Sequence, residues 1–291
     1  MLPGSRIVSV ERMAKGRSTI VYRVETEGKV LYLRIWPETE GSFGPEALVH
    51  RELRQHGACV PDVLQWATRH PAFDRSFMLT SSVDGQSMDE KAPAEGTRDI
   101  LYAAGRNLAA VNRIPVRGFG WIRRRPDATD ELAGEFPDFD GWMRGHYREP
   151  LACMLRSEAF TAVERPAIAK AAEQAFQDLR CGKAVLAHGD FDTSHIYHRE
   201  NRLAGLIDFG EIRGAHREYD LGHFWIDGER LLPELLEGYR SITHLPPEAM
   251  RRIVQSGLLV ACRRIGLFLA QSREVLDLDV RAVRRAIGIL A

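Results

Sequence analysis

The chain has 291 residues, enough for a sizeable core and for two lobes. At 44% hydrophobic and 27% charged it has the make-up of a soluble globular protein, with 40 basic residues balanced by 40 acidic ones. That balance excludes nucleic acid and anionic membranes as main partners, because there is no general positive field to hold them.

At the N-terminus, MLPGSRIVSVERMAKG lacks a continuous apolar signal core. The first third then reads as β-rich. Arg6–Val10, Ser18–Glu25 and Lys29–Trp36 are rich in β-branched and aromatic residues, with Glu27-Gly28 as a turn between the last two. Pro45 fits a helix N-terminus and Gly57 with Pro61 its end, which predicts a helix over Pro45–His56. Phe77–Leu79 reads as a further strand, and the polar stretch Thr80–Gly85 as the connection between lobes. Beyond it, Ala94–Asn112, Asp138–Ser157, Thr161–Leu179, Arg230–Arg240, Pro247–Gln271 and Val280–Leu290 are expected to be helical. Arg117–Thr129, with Gly118, Gly120 and Pro126 among several arginines, is expected to be an irregular loop. The four cysteines, Cys59, Cys153, Cys181 and Cys262, form no Cys-x-x-Cys pair, so free thiols are expected. With no run of 18 or more apolar residues, the expected location is cytoplasmic.

The stretch Leu186–Phe224, LAHGDFDTSHIYHRENRLAGLIDFGEIRGAHREYDLGHF, carries the chemistry. It places His188, Asp190 and His195 on one loop, follows them with two short apolar strands (Ile196–Tyr197 and Leu203–Ile207), and then opens Asp-Phe-Gly with Asp208. Two carboxylates at the ends of a compact hairpin can face one cleft. One then orients a hydroxyl and takes its proton, and the other holds a divalent cation, which is the equipment of phosphoryl transfer. Asp190 suits the first role. Asp208, a hard carboxylate, suits Mg²⁺. His188 reads as a structural histidine bonding the loop backbone. His195 has two readings: an imidazole ligand to the metal, or a side chain that orients Asp190 or Asp208 by hydrogen bonding. Either motif alone is an ordinary turn; their order and spacing are what specify them.

The β-rich region supplies complementary parts. Met13–Thr19 lies between two strands as a phosphate-covering loop should; Gly16 permits close backbone approach, and Ser18 and Thr19 offer hydroxyls. Alternation in LYLRIW puts Tyr32, Arg34 and Trp36 on one face, where Arg34 could meet the α- and β-phosphates. Glu46 shares a helical stripe with Val49 and Leu53, so it faces inward and needs a partner, for which Arg34 is the obvious choice. Glu52, beside Leu48 on a neighbouring stripe, is the alternative to Glu46. Glu211, Glu218, Asp227 and Glu229 could line a pocket for a cationic acceptor, with solvated surface charge as the competing reading.

These residues resemble the aminoglycoside phosphotransferase and choline kinase superfamily over nearly the whole chain. The motifs that carry the resemblance are the loop near Gly16, Arg34, the Glu46 helix leading to HGACVP, the connection before Gly85, HGDFDTSH, LIDFGE and EYDLGHF. The resemblance implies an α+β, bilobal protein kinase-like fold: a small antiparallel sheet lobe over residues 1–84 and a mostly helical lobe over 85–291. It implies Asp190 as catalytic aspartate, Asp208 as principal Mg²⁺ ligand, Arg34 in the place of the kinase lysine, and Asp220 supporting the catalytic loop. Thr80, Ser81, Ser82 and Val83 would present backbone groups to a purine. Histidine at 195, where kinases place asparagine, is similar to the 2″-aminoglycoside and macrolide phosphotransferases, several of which accept GTP. The expected protein is therefore a monomeric or dimeric small-molecule kinase using Mg²⁺ and ATP or GTP on a hydroxyl of an antibiotic-like substrate. The alternatives are a kinase of a choline-like or sugar-like alcohol and a catalytically silent nucleotide-binding relative. A protein kinase is disfavoured, because Asp-Phe-Gly runs straight to EYDLGHF with no room for an activation segment.

Overall fold

The computed structural model describes residues 6–13, 19–89, 96–125 and 131–291. Gly16 and Ser18 of the expected phosphate loop lie outside them. Strands β1 (Ile7–Arg12), β2 (Ile20–Thr26) and β3 (Val30–Ile35) precede helix α1 (Gly44–Gln55), and β4 (Val63–His70) and β5 (Arg75–Ser81) follow it. They form one antiparallel sheet in the order β1-β2-β3-β5-β4. Pro45 occupies the first turn of α1, where no donor is wasted. A small core of Phe43, Ala47 and Met78, flanked by Trp36, Val63 and Trp66, joins α1 to the sheet.

After the connection, β6 (Gln86–Ser87) leads to α2 (Thr97–Val111), β7 (Phe119–Ile122), β8 (Gly134–Phe136), α3 (Phe139–Met143), α4 (Glu149–Arg156) and α5 (Glu164–Asp178). The segment that carries Asp190 and Asp208 contributes β9 (Val185–Ala187), β10 (Ile196–Arg199), β11 (Arg202–Leu206) and β12 (Arg213–Ala215). Four helices complete the chain: α6 (Tyr219–Gly228), α7 (Leu232–Arg240), α8 (Ala249–Ala270) and α9 (Asp277–Leu290). The fold is thus α+β, an antiparallel sheet region followed by a mostly helical one. The main core is built from the helical part and reaches Val49 and Leu53 of α1.

Two expectations need correction. Arg117–Ile122 is not a loop: β7 pairs with both β8 and β12, and Gly118 and Gly120 supply the positive φ angles that let it do so (75° and 84°). The helix expected over Asp138–Ser157 is interrupted by a π-turn at Arg144–Arg148. Pro150 explains the break, since it has no N–H to give His146 O; Arg263 Nε donates to that carbonyl instead, at 3.2 Å. Helix α8 is long and apolar enough to cross a membrane by length and composition, and 67% of its apolar window is buried within the protein, as in a core helix.

Candidate active site

Two small sheets hold the segment that carries Asp190 and Asp208. β10 and β11 form a hairpin that β6 joins in the order β11-β10-β6, while β12 pairs with β9 on one side and β7 on the other. The HGDFD turn between β9 and β10 is held from below by α6. Asp220 accepts the His188 and Gly189 amides on its two oxygens, at 2.8 and 2.9 Å. Gly189 has φ of 93°, and a Cβ there would lie 1.9 Å from Glu211 O, so only glycine makes this bend. His188 is buried, with Nε2 on Ile207 O at 2.8 Å, and it ties the start of the loop to the end of the hairpin.

Asp190 leaves this loop with its side chain 44% exposed, and His223 of α6 reaches its Oδ1 through Nε2 at 3.3 Å. The other His223 nitrogen lies 3.1 Å from Phe191 O, so the ring is oriented from both sides. Burial pushes the Asp190 carboxyl upward, but the His223 hydrogen bond and charge, with His195 and His188 behind, hold it well below the usual carboxylate range. Asp190 is therefore held toward its ionised form, with Oδ1 engaged by His223 and the side chain still partly open to solvent.

Asp208 begins its turn in the left-handed conformation, with φ of 62°, and its side chain is 54% exposed. Its Oδ1 accepts Gly210 N–H at 3.3 Å. His195 lies between the two aspartates. Its Nδ1 is 2.6 Å from Asp190 O and its Nε2 3.8 Å from Asp208 Oδ2. A ring that donates Nδ1–H to a carbonyl turns the Nε2 lone pair toward Asp208, the usual arrangement of a metal-ligating histidine. The pair thus fits a divalent cation, and both readings of His195 remain compatible with its place. The ligand atoms of Asp190, Asp192 and His223 also converge, within 4.8 Å. These groups are committed within the loop, Asp192 Oδ1 accepting Ser194 N–H and Oγ–H and His223 facing Asp190.

From the sheet side, Arg34 on β3 meets Glu46 on α1 as its Nη1 donates to Oε1. Glu46 is fully buried, which alone would raise its pKa, but Arg34 and Arg124 outweigh burial and bring it to about 2. Arg124 was not legible beforehand. It donates from Nη1 to Glu46 Oε2 at 3.1 Å and from Nη2 to Phe209 O and Gly210 O at 3.3 and 2.7 Å. Phe209, fully buried, packs against His50 of α1 and His188, with ring centroids 5.0 and 4.7 Å away.

The remaining expected residues scatter. Thr19 lies just before β2, and Thr80 and Ser81 end β5, paired with Tyr32 and Leu31. The amides of Ser81 and Ser82 already donate to Asp62 O and Val30 O. Ser81, Ser82 and Val83 line a cavity of about 780 Å³ with the β2–β3 turn, Arg54 and Asp62, and none of Arg34, Glu46, Asp190 and Asp208 lines it. Glu211 accepts from Trp121 Nε1 at 2.8 Å and pairs with Arg213. Glu218, expected near an acceptor, is buried and paired with Arg252 at 2.8 Å; Glu229 pairs with Arg285 at 3.2 Å. Asp227 stays exposed on α6, four residues beyond His223. Glu52 contacts Arg51 at 3.7 Å, leaving Arg34 to Glu46. His223 could have been found: it follows Asp220 by one helical turn on the same face.

The profile of the phosphotransferase enzyme family matches residues 9–253. No curated protein matches at a significant level. Among solved structures, aminoglycoside phosphotransferase APH(4)-Ia, in a ternary complex with ADP and hygromycin B, superposes with a TM-score of 0.65 at 13% identity, over 98% of this chain and 92% of that one. A putative fructosamine-3-kinase from Thermobifida fusca superposes with a TM-score of 0.65 at 22% identity, over 97% and 95%. A choline/ethanolamine kinase family protein from Mesorhizobium loti gives 0.59 at 18%, over 97% and 86%. Each shares the fold.

Proposed function

The chain belongs to the phosphotransferase enzyme family and is a small-molecule phosphotransferase, and on that premise we propose that it moves the γ-phosphate of ATP or GTP onto a hydroxyl of an aminoglycoside-like or related antibiotic. The observation that carries the reading is the pair Asp190 and Asp208, spaced by one hairpin, with His195 between them. In this scheme residues 1–84 form the nucleotide lobe and 85–291 carry the acceptor site. Arg34, held by Glu46, faces the phosphates, and Thr19 offers them a hydroxyl. The connection through Val83 meets the purine. Asp208 and His195 would hold Mg²⁺, which would neutralise phosphate charge there.

Asp190 Oδ2 orients the acceptor O–H and takes its proton as the oxygen bonds to the γ-phosphorus and the bond to the β-phosphate oxygen breaks. Asp220 keeps the loop in place, and His223 keeps Asp190 turned. Asp227, and Glu211 through its second oxygen, supply negative charge for an amine-bearing acceptor; the pairing of Glu229 with Arg285 weakens its claim. A kinase of a choline-like or sugar-like alcohol is the second reading, favoured by the likeness to a putative fructosamine-3-kinase and a choline/ethanolamine kinase family protein.

The test is nucleotide consumption, with ATP and with GTP, over aminoglycosides, macrolides, peptide antibiotics, fructosamines and choline. Turnover with an antibiotic and not with choline or fructosamines is expected, and the reverse favours the second reading. Asp190→Asn should cut transfer by roughly 10²-fold or more, in line with loss of a positioned general base, while nucleotide still protects against unfolding. Retained turnover removes Asp190 from the base role.

A further inference from the structure

The two arginines on Glu46 divide their work unequally. Arg34 uses Nη1 for the carboxylate and stacks over Phe43, its guanidinium 5.2 Å from the ring centroid. Arg124 comes from the other side, from the segment after β7, and three of its five donors meet protein acceptors: Glu46 Oε2 on Nη1, and the carbonyls of Phe209 and Gly210 on Nη2. The guanidinium also lies over Trp36, 5.1 Å from its ring centroid. One carboxylate thus bears two cations, which leaves a net positive charge beside the Asp-Phe-Gly turn. Of the two, Arg34 keeps donors for a ligand.

We propose that Arg124 is a positioning residue for the metal-nucleotide site: it ties α1 to the Asp-Phe-Gly turn, so that the lobe bearing Arg34 and the turn bearing Asp208 are set against each other. Arg124 holds the carbonyl of the Phe209–Gly210 peptide, and the N–H of that same peptide donates to Asp208 Oδ1 at 3.3 Å, so the arginine orients the carboxylate through the turn backbone. The planar fork is required, because a single ammonium cannot donate to Glu46 on one side and to two carbonyls on the other. This inference rests on the proposed reading of Asp208 as the cation's ligand.

The probe is ADP, titrated calorimetrically with Mg²⁺ and with EDTA, against wild type, Arg124→Lys, Arg124→Ala and Arg34→Ala. In Arg124→Lys the Kd for ADP with Mg²⁺ should rise about tenfold, the low end for loss of a group that orients a metal ligand, with the Kd in EDTA within about twofold. Arg34→Ala should weaken both. Lysine keeps the cation beside Glu46 and Trp36, so Arg124→Lys carries the test if Arg124→Ala does not fold. Equal Mg²⁺ response in Arg124→Lys and wild type overturns the role of Arg124 alone, and so does equal weakening with and without Mg²⁺. A wild-type Kd that ignores Mg²⁺ removes the reading of Asp208 and this inference with it.

Discussion

His223 shows how a single side chain sets the character of the loop. With its two nitrogens on Phe191 O and Asp190 Oδ1, it fixes how the carboxylate is turned. His223→Ala should therefore lower acceptor-dependent nucleotide consumption by about 10- to 100-fold, as small misplacements of a reacting group do. Affinity for ADP with Mg²⁺ should stay as in wild type, because Arg34, Arg124 and Asp208 are untouched. His223→Gln, which places an amide near the ring Nε2, should recover part of the rate. Unchanged consumption in His223→Ala would show that Asp190 needs no such partner. At this scale the sequence was most readable where a side chain's partner is close in the chain. Asp190, His195 and Asp208 share one hairpin, and Glu46 announces itself by facing inward. Arg124 did not, because it sits in a run of three arginines and its three acceptors lie 78 to 86 residues away in the chain.

Among elements, strands and helices with a clear period were readable and those made by tertiary pairing were not. The first three strands and α1 fall within a few residues of expectation. β7, β8, β9 and β12 are three or four residues each and exist because they pair with one another. The π-turn before Pro150 depends on Arg263, more than a hundred residues away. The crossing of α2 and α7 depends on two glycines. A Cβ on Gly105 would lie 2.0 Å from Leu235 O, and one on Gly238 1.9 Å from Tyr102 O. Gly238→Ala must push the helices apart despite alanine's better helix propensity, and it should cost about 1–3 kcal/mol, the range for overpacking. Chemical denaturation measures it. A neutral or stabilising outcome would mean that the crossing slides freely.

For the whole molecule, acid should be destabilising well above the range where carboxylates titrate. His216 is buried against Ser256, with Nε2 3.0 Å from the hydroxyl, and burial lowers its pKa to about 4. Burial, with Arg263 and Arg213 nearby, does the same to His146. The unfolded chain binds protons at these imidazoles below its ordinary value of about 6.5, where the folded chain does not. Stability is therefore lost as pH falls from about 6.5 to about 4, by up to about 3 kcal/mol for His216 at about 1.4 kcal/mol per tenfold proton concentration. Below that, Glu46 adds its own loss as pH drops from its ordinary value of 4.5 through about 2. Urea midpoints at pH 7 and pH 5 measure the first step, and His216→Gln should shrink the difference. An unchanged difference in His216→Gln would show that this imidazole protonates in place.

β6, only two residues long, pairs with Tyr197 and His198 of the β10–β11 hairpin immediately after the chain leaves the sheet region. The carbonyl of His198 also fills the space where Gly85 lacks a Cβ, at 2.2 Å. The segment leaving the sheet region is thereby stitched to the strand that carries His195 at its base, so on the proposed two-lobe reading a displacement of the sheet region would be felt as a pull along β10. Such a joint behaves as a strain gauge. On that reading, exchange of the Met88 amide, which donates to Ile196 O, should slow when nucleotide is added, before any acceptor is present.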